Sequence, residues 1–128
     1  GLGDVYKRQN ATSIAVDISG NVFVTGQSYG SLTNYDYATI KYNSSGVLQW
    51  EKIYNGPGNS VENANSIATD NSGNVYVTGS SAFSGQNYNY ATVKYNSSGI
   101  QQWVNRFNGT GNFDDRAESI VTDDFGNV

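Results

Sequence analysis

Ser66-Ile-Ala-Thr-Asp-Asn-Ser-Gly-Asn-Val-Tyr-Val-Thr-Gly79 decides how this chain is read, because the chain writes it nearly three times. It stands earlier as Ser13-Ile-Ala-Val-Asp-Ile-Ser-Gly-Asn-Val-Phe-Val-Thr-Gly26, and a third version opens at Ser119 and runs to Val128. Ile14, Ile67 and Ile120 fall at a constant step of 53 residues, which also separates Trp50 from Trp103. Residues 11–63 and 64–116 align without a gap and agree at 31 of 53 positions, so even the connections are held in register. A regular period of this length marks a repeat architecture, in which each unit is one supersecondary element unable to bury its own apolar faces.

Within each unit the pattern predicts four strands: Ser13 to Val16, Asn21 to Gly26, Asp36 to Tyr42 and Val47 to Tyr54 in the first. They are rich in β-branched and aromatic residues and lack helical spacing. Asp17-Ile-Ser-Gly-Asn21 and Asn43-Ser-Ser-Gly46 read as tight hairpin turns, repeated as Asp70-Asn-Ser-Gly-Asn74 and Asn96-Ser-Ser-Gly99. The other connections, Gln27 to Tyr35 and the unit-to-unit crossover from Asn55, read as longer loops. An up-and-down meander then places the tight turns at one end of the sheet and the long loops at the other.

Apolar residues on both strand faces, Val22 and Val24 against Phe23, and Ala38 and Ile40 against Tyr37, require cover on both sides. A four-stranded sheet covered by copies of itself is a propeller blade, with the small Ala15 and Ala68 of the first strand nearest the axis. The expected fold class is therefore all-β, a β-propeller fragment of antiparallel four-stranded blades. Blade repeats occupy residues 11–63 and 64–116, and 117–128 open a third. Such an array requires Ile14 and Ile67 to sit in similar surroundings, and its uncovered end faces lead residues 10–128 alone to aggregate, oligomerise or stay partly unfolded.

Residues 1–9 share none of the repeat's composition, and Asp4-Val-Tyr-Lys-Arg-Gln9 resembles the translation of a transposase adapter used in sequencing libraries. They are set aside as a non-native leader. The chain contains no methionine, which suits a piece of a longer protein. Seven basic and eleven acidic residues give a net charge of −4 with no basic stripe, against a nucleic-acid partner. No apolar run approaches the roughly 20 residues that span a bilayer, against membrane insertion. Absence of cysteine excludes disulfides and thiolate metal sites. The surplus of Asn, Ser, Thr, Gly and Tyr suits an exported bacterial surface protein.

At Ser-Ile-Ala-x-Asp-x-Ser-Gly-Asn-Val-x-Val-Thr-Gly, followed by Tyr-Ala-Thr-x-Lys-Tyr-Asn-Ser-Ser-Gly and a strand with Trp, the chain resembles the bacterial SBBP family of β-propeller repeats. The resemblance covers residues 11 to 128. The delta-60 and NHL repeats look similar at the Asp-x-x-Gly-Asn hairpin, but Trp50 and Trp103 favour SBBP. The SBBP resemblance implies extracellular or cell-envelope scaffolds of bacteria, often with no defined activity, in a ring of about seven blades.

Candidate sites are few. The Asp17, Asp70 and Asp123 turns invite a calcium reading but offer one or two carboxylates each, so Asx turns are expected and no metal site is assigned. Asp114 and Asp115 lie side by side in the crossover with Arg116 adjacent; such a pair can serve acid/base catalysis or bind a cation, or simply be solvated. The previous crossover holds no second acid beside Glu62, so the pair is not a repeated device. Tyr29, Tyr35 and Tyr88, in or beside the long loops, are candidates for stacking on a sugar or a protein, against plain packing on the blade edge. Trp50 and Trp103, once per unit, are expected between blades rather than on a quinone cofactor. The sequons at Asn10, Asn43, Asn96 and Asn108 follow from composition, and two are the hairpin turn itself. With no histidine and no cysteine, no activated nucleophile is visible, and neither catalytic residues nor cofactors are assigned.

The expected role is a structural or interaction module of a secreted or envelope-attached bacterial propeller. Its expected partners are neighbouring blades and a protein or glycan met by the long-loop face. The alternative is the non-catalytic part of a propeller enzyme, a glycan lyase, hydrolase or quinoprotein, with its active site in other blades.

Overall fold

The computed structural model describes residues 8–30, 34–83, 87–111 and 113–128, and the regular structure among them is strand throughout. The strands are β1 (Gln9–Val16), β2 (Val22–Gly30), β3 (Asn34–Tyr42), β4 (Leu48–Tyr54), β5 (Glu62–Thr69), β6 (Val75–Ser81), β7 (Asn89–Tyr95) and β8 (Gln101–Phe107). They form two antiparallel four-stranded sheets, ordered β1-β2-β3-β4 and β5-β6-β7-β8, each the meander that a blade requires. Register repeats with the sequence: Ile14 faces Val24 as Ile67 faces Val77, and Lys41 faces Trp50 as Lys94 faces Trp103.

The shared Thr-Gly at Gly26 and Gly79 has a local cause. The first strand of each unit bulges between Ala11 and Ser13, or Ala64 and Ser66, and the extra residue turns a backbone carbonyl toward the second strand. A Cβ at Gly26 would lie 1.9 Å from the Asn10 oxygen, and one at Gly79 1.9 Å from the Asn63 oxygen. Only glycine admits that approach.

The two sheets meet through unlike faces. The first presents Phe23, Tyr37, Trp50 and Tyr54; the second answers with the smaller Ala64, Ile67, Val75, Val77, Ala91 and Val93, together with Tyr95. Trp50 lies between Phe23 of its own sheet and Tyr95 of the next, with ring centroids 6.1 and 5.9 Å away. Its indole Nε1 donates to the Ser97 carbonyl at 3.1 Å, and the Lys41 Nζ donates to the same oxygen at 2.9 Å. The Tyr37 hydroxyl donates to the Ala91 carbonyl at 3.2 Å, so the buried phenol keeps a partner.

First strands add a polar ladder that the chain repeats at its next seam. Thr12 Oγ1 donates to the Ala64 carbonyl, and Ser13 Oγ accepts from the Ile67 amide. One period later Asn65 Nδ2 donates to the Ala117 carbonyl and Ser66 Oγ accepts from the Ile120 amide, with Thr122 Oγ1 donating to Thr69. Residues 117–122 thus approach the second sheet as β5 approaches the first.

Two expectations need correction. Ile14 and Ile67 share a register but not an environment: Ile14 is 65% exposed and Ile67 6%. The cause is position in the array, since the face that buries Ile67 belongs to the preceding unit. Likewise Tyr37 is 1% exposed, whereas its equivalent Tyr90 is 38% exposed. Second, the long loop at Gln27 to Tyr35 is mostly strand: β2 runs to Gly30 and β3 starts at Asn34, with residues 31–33 outside the described residues. β1 begins at Gln9, the last residue of the segment set aside as a leader, and the Arg8 carbonyl accepts from the Tyr29 amide. Residues 1–7 of that segment lie outside the described residues. β5 likewise begins at Glu62, two residues ahead of the 64–116 window.

Gly46 and Gly99 offer a test of the seam, because both hold positive φ but only Gly99 is covered. A Cβ at Gly99 would lie 2.9 Å from the Trp50 ring, while nothing lies within 4 Å of one at Gly46. Gly46→Ala should cost about 1–2 kcal/mol for left-handed backbone. Gly99→Ala should cost about 1–3 kcal/mol more for the clash. Urea unfolding of the two variants checks this, and equal midpoints would show that Trp50 does not join the units.

Candidate binding face

Each sheet has a turn end and a crossover end, and their chemistry differs. At the turn end Asp17 Oδ1 accepts from the Ser19 and Asn21 amides, both at 2.9 Å, and Oδ2 accepts from Asn21 Nδ2 at 2.9 Å. Asp70 repeats the arrangement with Ser72 and Asn74, and Asp123 with Phe125 and Asn127. Asn43 and Asn96 close the other hairpin in the same way, Oδ1 accepting from the amides of Ser45 and Val47, or Ser98 and Ile100. These are Asx turns, whose oxygens are turned to their own backbone rather than outward. Among the described residues no group of three or more His, Cys, Asp or Glu side chains stands close enough to hold a metal.

Saturation also sets the ionisation of these acids. Burial acts to raise the Asp70 carboxyl, but the Asn74 side-chain amide, the Asn74 amide N–H, the Tyr76 hydroxyl and the Ser72 amide outweigh it, leaving the carboxyl below its ordinary value. Asp17 behaves alike through Asn21 and Ser19, with the Lys41 charge adding. Tyr76 Oη, 2.9 Å from Asp70 Oδ2 and 3.2 Å from the Gly126 carbonyl, extends the network to the third unit.

The crossover end carries the sequence candidates. Tyr29 and Tyr35 sit on paired strands, not in a loop, and stack edge to face at 5.2 Å. The two rings thus pack on each other across the strand pair. Tyr88 precedes β7, and its ring lies 5.3 Å from the Arg116 guanidinium. Asp114 Oδ1 accepts from the Tyr88 amide at 3.1 Å and its Oδ2 faces Arg116 at 3.7 Å. Both side chains are about half exposed, so this ion pair orients the crossover more than it stabilises the fold.

Asp114 and Asp115 do not act together. Asp115 Oδ2 accepts from the Gly109 amide at 2.6 Å. One period earlier the Glu62 carboxylate takes the Gly56 amide, so a single acid closing the crossover on a glycine is a repeated device after all. The signal was present in the sequence as an acid six residues after a glycine in both crossovers, at Gly56 and Glu62 and at Gly109 and Asp115. What the sequence did not show is that Glu62 is fully buried, among residues from both sheets.

A family model described as SBBP, beta-propeller repeat, matches residues 2–33 and 49–84, the two windows lying about one period apart. Comparison with curated proteins gives no match.

The lowered Asp70 carboxyl makes an acid-side prediction. A carboxyl depressed on folding contributes stability that is present above its unfolded value, near 3.8, and is lost as pH falls through the folded value. Asp70→Asn keeps the turn, as Asn43 and Asn96 do, and removes the charge. Chemical unfolding between pH 2 and 5 should therefore fall less steeply in this variant than in the unaltered protein; identical slopes would refute the assignment.

Proposed function

This chain belongs to the SBBP beta-propeller repeat family, and from that premise we propose that it forms blades of a scaffold in a secreted or surface-attached bacterial protein. The blades themselves carry no catalysis in this reading; they hold a crossover end toward a protein or glycan partner. The observation that carries the scaffold role is the repetition of one seam. The bonds of Thr12 and Ser13 to the second unit recur as those of Asn65 and Ser66 to the third. Units that join identically add length without altering any one unit, which is the property of a scaffold built from repeats.

The choice of end rests on chemistry. Turn-end side chains are satisfied by their own backbone, and the turn sequences Asn43 to Gly46 and Asn96 to Gly99 are identical. Crossover residues 60–63 and 113–116 differ at every position, and there Tyr88, Asp114 and Arg116 stand partly exposed. Variation on a fixed frame is how a repeat protein sets specificity. The composition, low in Lys and Glu and free of Cys, supports export.

Two experiments test the reading. Arrays of two to eight copies of residues 64–116 should melt at rising temperature as each new seam forms, then reach a plateau at closure. A melting temperature independent of copy number would overturn the scaffold role. On arrays of bacterial cell-wall glycans and immobilised peptides, Tyr88→Ser with Arg116→Ser should abolish capture, while Asp17→Asn with Asp70→Asn leaves it intact. Loss through the turn-end pair alone would overturn the assignment of the face.

A further inference from the structure

Glu62 opens β5 and is 0% exposed, although it follows a polar crossover. Its Oε1 accepts from Ser81 Oγ at 3.3 Å and the carboxylate takes the Gly56 amide, while Oε2 is buried with no hydrogen-bond partner. The surroundings come from both units. β3 supplies the buried Asp36 and Tyr37, with Tyr54 at the end of β4 stacked on Tyr37 at 5.4 Å. From the second unit come Ser81 at the end of β6 and Arg106 of β8.

Arg106 is the one cation near Glu62 among the described residues, yet its Nη1 donates to Ser81 Oγ and its Nη2 to the Ser81 carbonyl at 3.1 Å. Those donors go to Ser81 rather than to Oε2. An ionised carboxylate with one oxygen dry and a second carboxylate, Asp36, nearby is costly to bury, whereas the neutral acid is much less so. The equivalent positions lack this strain: Gln9 has no charge, and Asp115 is only half buried.

We propose that Glu62 is a proton-operated clasp between the two units, closing the seam when it carries a proton and loosening it when ionised. On ionisation the proton leaves to solvent and two like charges remain in one dry pocket between β3 and β5. Burial pushes the Glu62 carboxyl up to about 7, and the Asp36 charge adds to this; the Gly56 amide, the Ser81 hydroxyl and Arg106 pull the other way. Because the folded value lies above the unfolded one of 4.5, the stability is complete below about 4.5 and is lost as pH rises through about 7. With no histidine and no cysteine, other side chains leave this window almost clear.

The test is chemical unfolding of the whole chain from pH 5 to 8.5, for the unaltered protein and for Glu62→Gln. The unfolding equilibrium constant of the unaltered protein should grow by roughly two orders of magnitude across the window, and that of the variant should stay flat. A flat profile in the unaltered protein, or an unchanged slope in the variant, would overturn the proposal. Should Glu62→Gln fail to fold, Asp36→Asn serves instead: removing the neighbouring charge should move the midpoint to lower pH, and an unmoved midpoint would count against the clasp. Amide exchange separates a seam from a global effect. Protection of Ile67, whose N–H bonds Ser13 across the units, should fall with rising pH before that of β2 amides within the first sheet. Simultaneous loss at both would overturn the seam assignment.

Discussion

The insertion of one sheet's aromatic face into the next sheet's aliphatic face is the constraint on which the rest of this structure depends. Phe23, Tyr37, Trp50 and Tyr54 form the large face, and Ala64, Ile67, Val75, Val77, Ala91 and Val93 the small one. Neither sheet has a core of its own, because a single layer of four strands encloses nothing. Since the two faces of every unit differ in size, stacking has a direction. Large meets small at the seam between the two sheets, and hydrogen bonds from Trp50, Lys41 and Tyr37 to backbone carbonyls of the next unit fix the register.

Equivalent residues therefore report on their neighbours rather than on themselves. Trp50 touches two aromatic rings and a carbonyl, while Trp103, in the same local sequence, has Tyr76 at 6.0 Å and is 37% exposed. Ile14 and Ile67 differ for the same reason in the opposite direction. Exposed Ile14 and Val16 on one outer face, and Trp103 and Phe107 on the other, are the two halves of a seam that each lack the complement.

Polar groups follow a second rule, that a buried oxygen needs a donor. At the turn end each Asp accepts from amides of its own loop, so the Asp, Gly and Asn of the turn recur in all three units. At the crossover end the donors come from different strands, and an acid such as Glu62 ends beneath the neighbouring unit, where its ionisation is tied to contact between units. Local satisfaction permits a recurring turn. Satisfaction across a seam couples chemistry to assembly.

Much of this was legible in the residues themselves. The 53-residue step, alternating strands and Asp-x-Ser-Gly-Asn turns determined two meanders of four strands each, because hairpin turns and period-2 alternation are local properties of backbone and side chain. Trp50 was readable as a seam residue from its recurrence. Tertiary structure alone decided the length of the strands around Tyr29 and Tyr35, since pairing propagates through polar residues once the register is set. It alone decided that Ile14 and Ile67 part company and that Glu62 is dry, because burial depends on what lies opposite a residue, and identical strings carry no record of which neighbour they will meet.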